Sequence, residues 1–135
     1  MTIEIDGCTL EYEFETDKKH IAITNGRNVK GNFTIPSRID GCPVTRIGDE
    51  AFSDCSGLTS VTIPDSVKSI EAGAFSRCSG LTSVALPAGV KSIGEGAFSG
   101  CCELTSVSMP KRFEGKLDEY VFDGCPENMV ITYRD

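Results

Sequence analysis

Apolar and polar positions in this chain recur with a 23-residue period through its second half. Ile63-Pro64-Asp65-Ser66-Val67-Lys68-Ser69-Ile70 is answered by Leu86-Pro87-Ala88-Gly89-Val90-Lys91-Ser92-Ile93. Phe52, Phe75, Phe98 and Phe122 form one column, and Cys55, Cys78, Cys101 and Cys125 a second. Leu58, Leu81 and Leu104 form a third, and Val61, Val84, Val107 and Ile131 a fourth. A fixed period of this size marks stacked units, none of which can bury its apolar face alone.

Within one unit, Leu58-x-x-Val61-x-Ile63 reads as a short strand with alternate residues inward, and Pro64 ends it because proline lacks the ladder N–H. Val67 and Ile70 fit a second extended segment. Ala72-Gly73-Ala74-Phe75-Ser76-Arg77-Cys78 fits one tight helical or 3-10 turn. Three corners in 23 residues describe one coil of a solenoid, and stacked coils place their strands in a parallel sheet with rungs about 4.8 Å apart.

Residues 1–31 do not repeat. Ile3-Glu4-Ile5, Asp6-Gly7 and the alternating run Cys8 to Glu15 predict a hairpin with a tight turn. His20–Thr24 predicts a third strand, with a turn at Asn25-Gly26. These strands are expected to form an N-terminal β cap over the first coil, because an exposed end rung needs cover. The expected fold is an α/β solenoid of right-handed coils: a cap over 1–31, then one continuous array over 32–135 of about four to five coils of 23–28 residues. The first unit carries five extra residues around Asp40-Gly41-Cys42-Pro43 and the last one extra around Lys111–Leu117. Both are expected to loop out and leave the columns intact.

The string Ile63-Pro64-x-x-Val67-x-x-Ile70-x-x-x-Ala74-Phe75-x-x-Cys78-x-x-Leu81-x-x-Val84 resembles the BspA-like leucine-rich-repeat family, over about residues 33–133. The expected function is a non-catalytic protein-interaction module, and the resemblance implies in addition a surface or secreted protein with a role in adhesion to host proteins or other cells.

Composition narrows the alternatives. With 135 residues and 39% apolar content, the chain can fill a thin continuous core. Its net charge of −7 argues against nucleic acid and anionic membrane surfaces, which select clustered Lys and Arg. No apolar run is long enough for membrane insertion, and Met1–Asp6 does not open a signal peptide.

The candidate chemistry is sparse. A column of stacked cysteines cannot converge on a tetrahedral metal site, so the four are read as small buried hydrophobes; no metal or cofactor is expected. Cys102 takes the slot of Ser56 and Ser79 and is the candidate exposed thiol, while the redox states of Cys8 and Cys42 stay open. His20, the one histidine, reads as a solvated turn residue, and no catalytic residue is assigned. Glu11, Glu13 and Glu15 read as a solvated strand face.

The remaining surface is the concave sheet face between inward positions: Asn32 and Thr34, Ser60 and Thr62, Ser83 and Ala85, Ser106 and Ser108, then Val130 and Thr132. It presents small hydroxyls, without the Trp, Tyr or Arg that anchor tight interfaces. One reading is a face that holds an extended protein partner through many small contacts. The other is a neutral surface on a structural spacer that self-associates through the open strand edge at Met129–Tyr133.

Overall fold

The computed structural model describes residues 1–134, and its strands build two sheets wound into a solenoid. In chain order they are β1 (Thr2–Ile5), β2 (Cys8–Phe14), β3 (Ile21–Arg27), β4 (Gly31–Thr34), β5 (Arg38–Ile39) and β6 (Cys42–Ile47). Then come β7 (Leu58–Thr62), β8 (Ser69–Ile70), β9 (Ser83–Ala85), β10 (Ser92–Ile93), β11 (Ser106–Pro110) and β12 (Val130–Arg134). One sheet, in the order β12-β11-β9-β7-β4, takes one strand from each of five coils, all parallel. The short segment after each proline corner builds a second parallel ladder, β6-β8-β10.

The registers are those of the repeat. Val61 pairs with Val84 and Val84 with Val107. The phenylalanine column stacks through the interior: Phe52 and Phe75 lie 5.2 Å apart between ring centroids and Phe75 and Phe98 5.3 Å, with interplanar angles of 7° and 3°. Phe122 continues the stack 5.8 Å from Phe98. Phe52, Phe75 and Phe98 are fully buried, each worth about 1.5–3 kcal/mol in transfer from water.

The Ala-Phe corners, where the spacing suggested one helical or 3-10 turn, hold separate i to i−3 turns and no continuous helix among the described residues. Ala51, Ser53 and Cys55 donate their N–H back to Gly48, Glu50 and Phe52 in their own coil. The alternating residues Glu50, Phe52 and Asp54 donate instead to Ala72, Ala74 and Ser76 of the next coil. With every second donor directed across the stack, no helical ladder can form. The result is a run of linked turns that acts as a third set of rungs. The single 3-10 helix among the described residues, Lys111–Phe113, lies around the extra residue of the last unit and buries Phe113.

The N-terminal strands join the array. β1 and β2 pair antiparallel across Asp6-Gly7, β2 pairs antiparallel with β3, and β3 runs parallel beside β6. Leu10, Ile21 and Ile23 enter the common core. Asn25-Gly26 is not a turn: β3 continues through both residues. Gly26 is required because a Cβ there would lie 2.6 Å from the Phe52 ring. The extra residues of the first unit form a β5–β6 hairpin whose turn residues, Asp40 and Gly41, both have positive φ.

Candidate functional site

The exposed face of the five-stranded sheet carries two rows set by strand register. Asn32 pairs with Ser60, Ser60 with Ser83, Ser83 with Ser106, and Ser106 with Val130. Beside them Thr34, Thr62, Ala85, Ser108 and Thr132 follow in the same order. Parallel rungs space neighbours in each row by about 4.8 Å. Ser60 and Ser108 are half-buried and the rest exposed. No charged residue stands in either row.

A third row was missed in the sequence reading. Thr59, Thr82 and Thr105 lie one position earlier, all exposed. Thr82 Oγ1 donates to the Thr59 carbonyl at 3.1 Å, and Thr105 Oγ1 to the Thr82 carbonyl at 3.4 Å. Asn32 closes the top of the face, its Oδ1 accepting from Ser60 Oγ at 2.7 Å and Thr59 Oγ1 at 3.3 Å. The recurrent Leu-Thr-Ser-Val of the repeat was the available signal. The hydroxyls of Thr34, Thr62, Ser83, Ser106, Ser108 and Thr132 make no side-chain hydrogen bond among the described residues, so solvent or a partner satisfies them.

All seven cysteines are free. Cys78 and Cys101 are fully buried, but Cys55 and Cys125, at the two ends of the column, are only partly so. Each of the last three column thiols donates to the phenylalanine carbonyl of the preceding coil, at 3.1, 3.1 and 3.2 Å. Burial pushes the Cys125 thiol up to about 11. Cys78 is raised further by its neighbours Cys101 and Cys55, together with burial. Cys102 is exposed, Cys42 half-buried and Cys8 buried.

Other charged groups hold the structure together. His20 Nδ1 lies 2.5 Å from Asp17 Oδ2. The Lys19 backbone N–H, and then His20, hold the Asp17 carboxyl below its usual range. The glutamate face of β2 is not simply solvated: Glu11 accepts from Asn25 and Arg27, and Glu15 accepts twice from Arg46. The Asn25 hydrogen bond, more than Arg27, lowers the Glu11 carboxyl.

Residues 30–134 match the family model described as BspA type leucine rich repeat region, in six copies. No curated protein matches the sequence. A leucine-rich repeat protein from Bacteroides capillosus is 29% identical, with 99% of both chains covered and a TM-score of 0.81. One from Bacteroides ovatus is 26% identical over 92% of this chain and 36% of its own, with a TM-score of 0.68. A leucine rich cell surface protein from Faecalibacterium prausnitzii is 26% identical over 99% of this chain and 43% of its own, with a TM-score of 0.66. The chain therefore spans less than half the length of two of these three.

Proposed function

We infer, from the fact that this chain belongs to the BspA-type leucine-rich-repeat family, that it is a non-catalytic module for protein interaction. On this reading it works in adhesion at a cell surface or in secreted form, and the face of the five-stranded sheet is its contact surface. The observation that carries the reading is the pair of registered rows, whose hydroxyls are exposed and largely without internal partners. An extended protein segment lying across the strands would meet at least one side-chain hydroxyl or amide on every rung, since Ala85 stands beside Ser83 and Val130 beside Thr132. Many weak contacts of this kind sum without needing an aromatic anchor, because a rigid face loses little side-chain entropy on binding. The cell-surface role is supported by the Faecalibacterium relative, which is described as a cell surface protein.

The array organisation follows the same reading. Residues 1–31 act as a cap, supported by the antiparallel strands that flank β3, and 32–135 as the interaction array.

The test is capture of the purified chain on cultured epithelial cells and on immobilised extracellular-matrix proteins. Wild type is compared with the Ser83→Glu/Ser106→Glu double variant, which places two carboxylates in the middle of one row. Binding by wild type and loss in the variant supports the reading. No binding, or equal binding by both, removes it.

A second reading is a structural spacer that pairs through β12, and one observation favours it. Among the described residues β12 pairs with a strand on one side only, β11, and Val130 on it is 62% exposed. Light scattering over a wide concentration range distinguishes the two readings: a concentration-dependent dimer favours the spacer, and a monomer throughout removes it.

A further inference from the structure

The thiol column has one end unlike the rest. Cys78, Cys101 and Cys125 each donate to a phenylalanine carbonyl 26 or 27 residues earlier. For Cys55 the equivalent position is Val29, in the link between β3 and β4, and Cys55 Sγ finds no carbonyl acceptor among the described residues. Cys55 is half-buried and lines an open cavity of about 490 Å³ between the N-terminal strands and the first Ala-Phe corner. Behind it stands the fully buried Cys78, whose thiol interacts with that of Cys55 on one side and that of Cys101 on the other. One sulfur is therefore open to an entering solute, and a second stands directly behind it, one coil on.

The spacing of this pair favours an ion between the sulfurs over a bond joining them. The Phe52 and Phe75 rings, three residues before each cysteine, lie 5.2 Å apart, and parallel rungs repeat at about 4.8 Å. Stacked side chains project side by side, so the line between the two sulfurs runs along the stack at that spacing. A disulfide needs its Cβ atoms about 3.8 Å apart, and the rungs would have to close by about 1 Å to make one. A metal–thiolate bond is about 2.3 Å long, so two of them in line span about 4.6 Å. Two donors in line satisfy a soft, closed-shell monovalent ion but leave zinc two donors short. No group of three or more His, Cys, Asp or Glu side chains converges among the described residues. A linear column that cannot form a tetrahedron can still hold an ion between two of its members.

Charge at the cavity fits the same ion. Two thiolates around a monovalent cation carry a net charge of −1, which burial penalises unless a cation stands near. Lys30 and Asp54 are the charged residues that line the cavity. Asp54 is engaged by Arg77, with Nε to Oδ1 at 2.8 Å and Nη2 to Oδ2 at 3.1 Å. Lys30 is left to offset the complex.

We propose that Cys55 and Cys78 form a binding site for one soft monovalent metal ion of the Cu(I) class, held in line between the two sulfurs and reached through the cavity. The two thiols give up one proton each to solvent as the ion enters, so one M⁺ and two R–SH become one bis-thiolate complex of charge −1 and two protons. No electron is transferred. The Phe52 carbonyl, released by the Cys78 thiol, keeps the Cys55 N–H at 3.3 Å. The site lies at the Ala-Phe corners, apart from the sheet face, and does not depend on the role proposed for that face.

Anaerobic titration of the reduced full chain with Cu(I), against bicinchoninate as a coloured competitor, tests it. Cys42→Ser/Cys102→Ser is the working background, because it removes a half-buried and an exposed thiol outside the column. That protein is expected to take up one equivalent of Cu(I), with X-ray absorption showing two sulfur neighbours at one distance. Adding Cys55→Ser should weaken uptake by about 100-fold or more. Adding Cys125→Ser instead, at the other partly buried end of the column, should leave uptake unchanged. Peptide mapping after iodoacetamide treatment reads the site without substituting it: bound Cu(I) should protect Cys55 from alkylation. No uptake by the background protein, three or four sulfur neighbours around the ion, equal losses from Cys55→Ser and Cys125→Ser, or alkylation of Cys55 at one rate with and without the ion would overturn the proposal.

Discussion

The thiol of Cys101 donates to the backbone carbonyl oxygen of Phe75, 3.1 Å away in the preceding coil. Cys78 does the same to Phe52, and Cys125 to Phe98. The column is therefore a line of buried donors and not merely of small apolar groups. Serine is a stronger donor but too polar for an apolar interior, and valine cannot donate at all.

The three positions should differ in what they contribute. The Phe98 carbonyl also accepts the Cys101 N–H at 3.4 Å, and Cys125 is partly exposed. The Phe75 carbonyl has no backbone partner of that kind, and Cys101 is fully buried. Cys101→Ala should therefore lower stability by about 2–3 kcal/mol, through a cavity and an orphaned carbonyl, and Cys125→Ala by about 1 kcal/mol. Urea midpoints at constant slope measure both. Equal losses would contradict the argument.

Burial pushes the Cys125 thiol from 9.0 up to about 11. Between those two values the folded protein keeps a proton that the unfolded chain has lost. Stability from this group is full below about pH 9 and declines as pH rises through about 11. Cys125→Ala should flatten that part of the stability–pH curve relative to wild type. Alkylation in the native state should mark exposed Cys102 first, while its immediate neighbour, the buried Cys101, reacts only on unfolding. Peptide mapping after timed iodoacetamide treatment reads the order directly.

The columns of Phe, Cys, Leu and Val could be read from sequence because a 23-residue coil returns each position to the same environment. Other features depended on contacts the chain order does not show. Asn25-Gly26 has the signature of a hairpin turn, yet Gly26 is there to let the Phe52 ring approach, 26 residues later. The Ala-Phe corners have helical spacing, but their alternate N–H groups are claimed by the next coil. The hydroxyl rows could be listed from sequence, since strand alternation defines them.

Arg46 ties the N-terminal strands to the coils. Its Nε and Nη2 reach Glu15 Oε1 at 3.0 and 2.7 Å, and its Nη1 lies 3.5 Å from Glu71 Oε1. Its guanidinium pKa is raised first by the Glu15 hydrogen bonds. With side chains about one-third exposed, the network should contribute about 1 kcal/mol, and less in high salt. Arg46→Ala should speed amide exchange in β2 and β3 while leaving β9 and β11 unchanged. Uniform acceleration across all strands would mean that the N-terminal segment and the coils open as one unit.

Two glycines separate the reasons for lacking a side chain. At Gly94 a Cβ would stand 2.3 Å from the Ala72 backbone N and 2.6 Å from the Glu71 backbone carbon. The neighbouring coil's main chain fills that space and cannot yield without breaking the rung Gly94 N–H to Ile70 carbonyl, 2.7 Å long. Gly115 has φ of +71 but nothing within 4 Å of its Cβ position. Gly115→Ala should therefore cost only the strain of a left-handed residue, about 1 kcal/mol. Gly94→Ala should cost about 3 kcal/mol or more, because overpacking against backbone has no soft partner to move. Thermal melts of the two variants provide the comparison. If Gly94→Ala melts no lower than Gly115→Ala, the coils are not packed backbone to backbone at that corner, and the tight coil spacing on which the hydroxyl rows depend would be wrong.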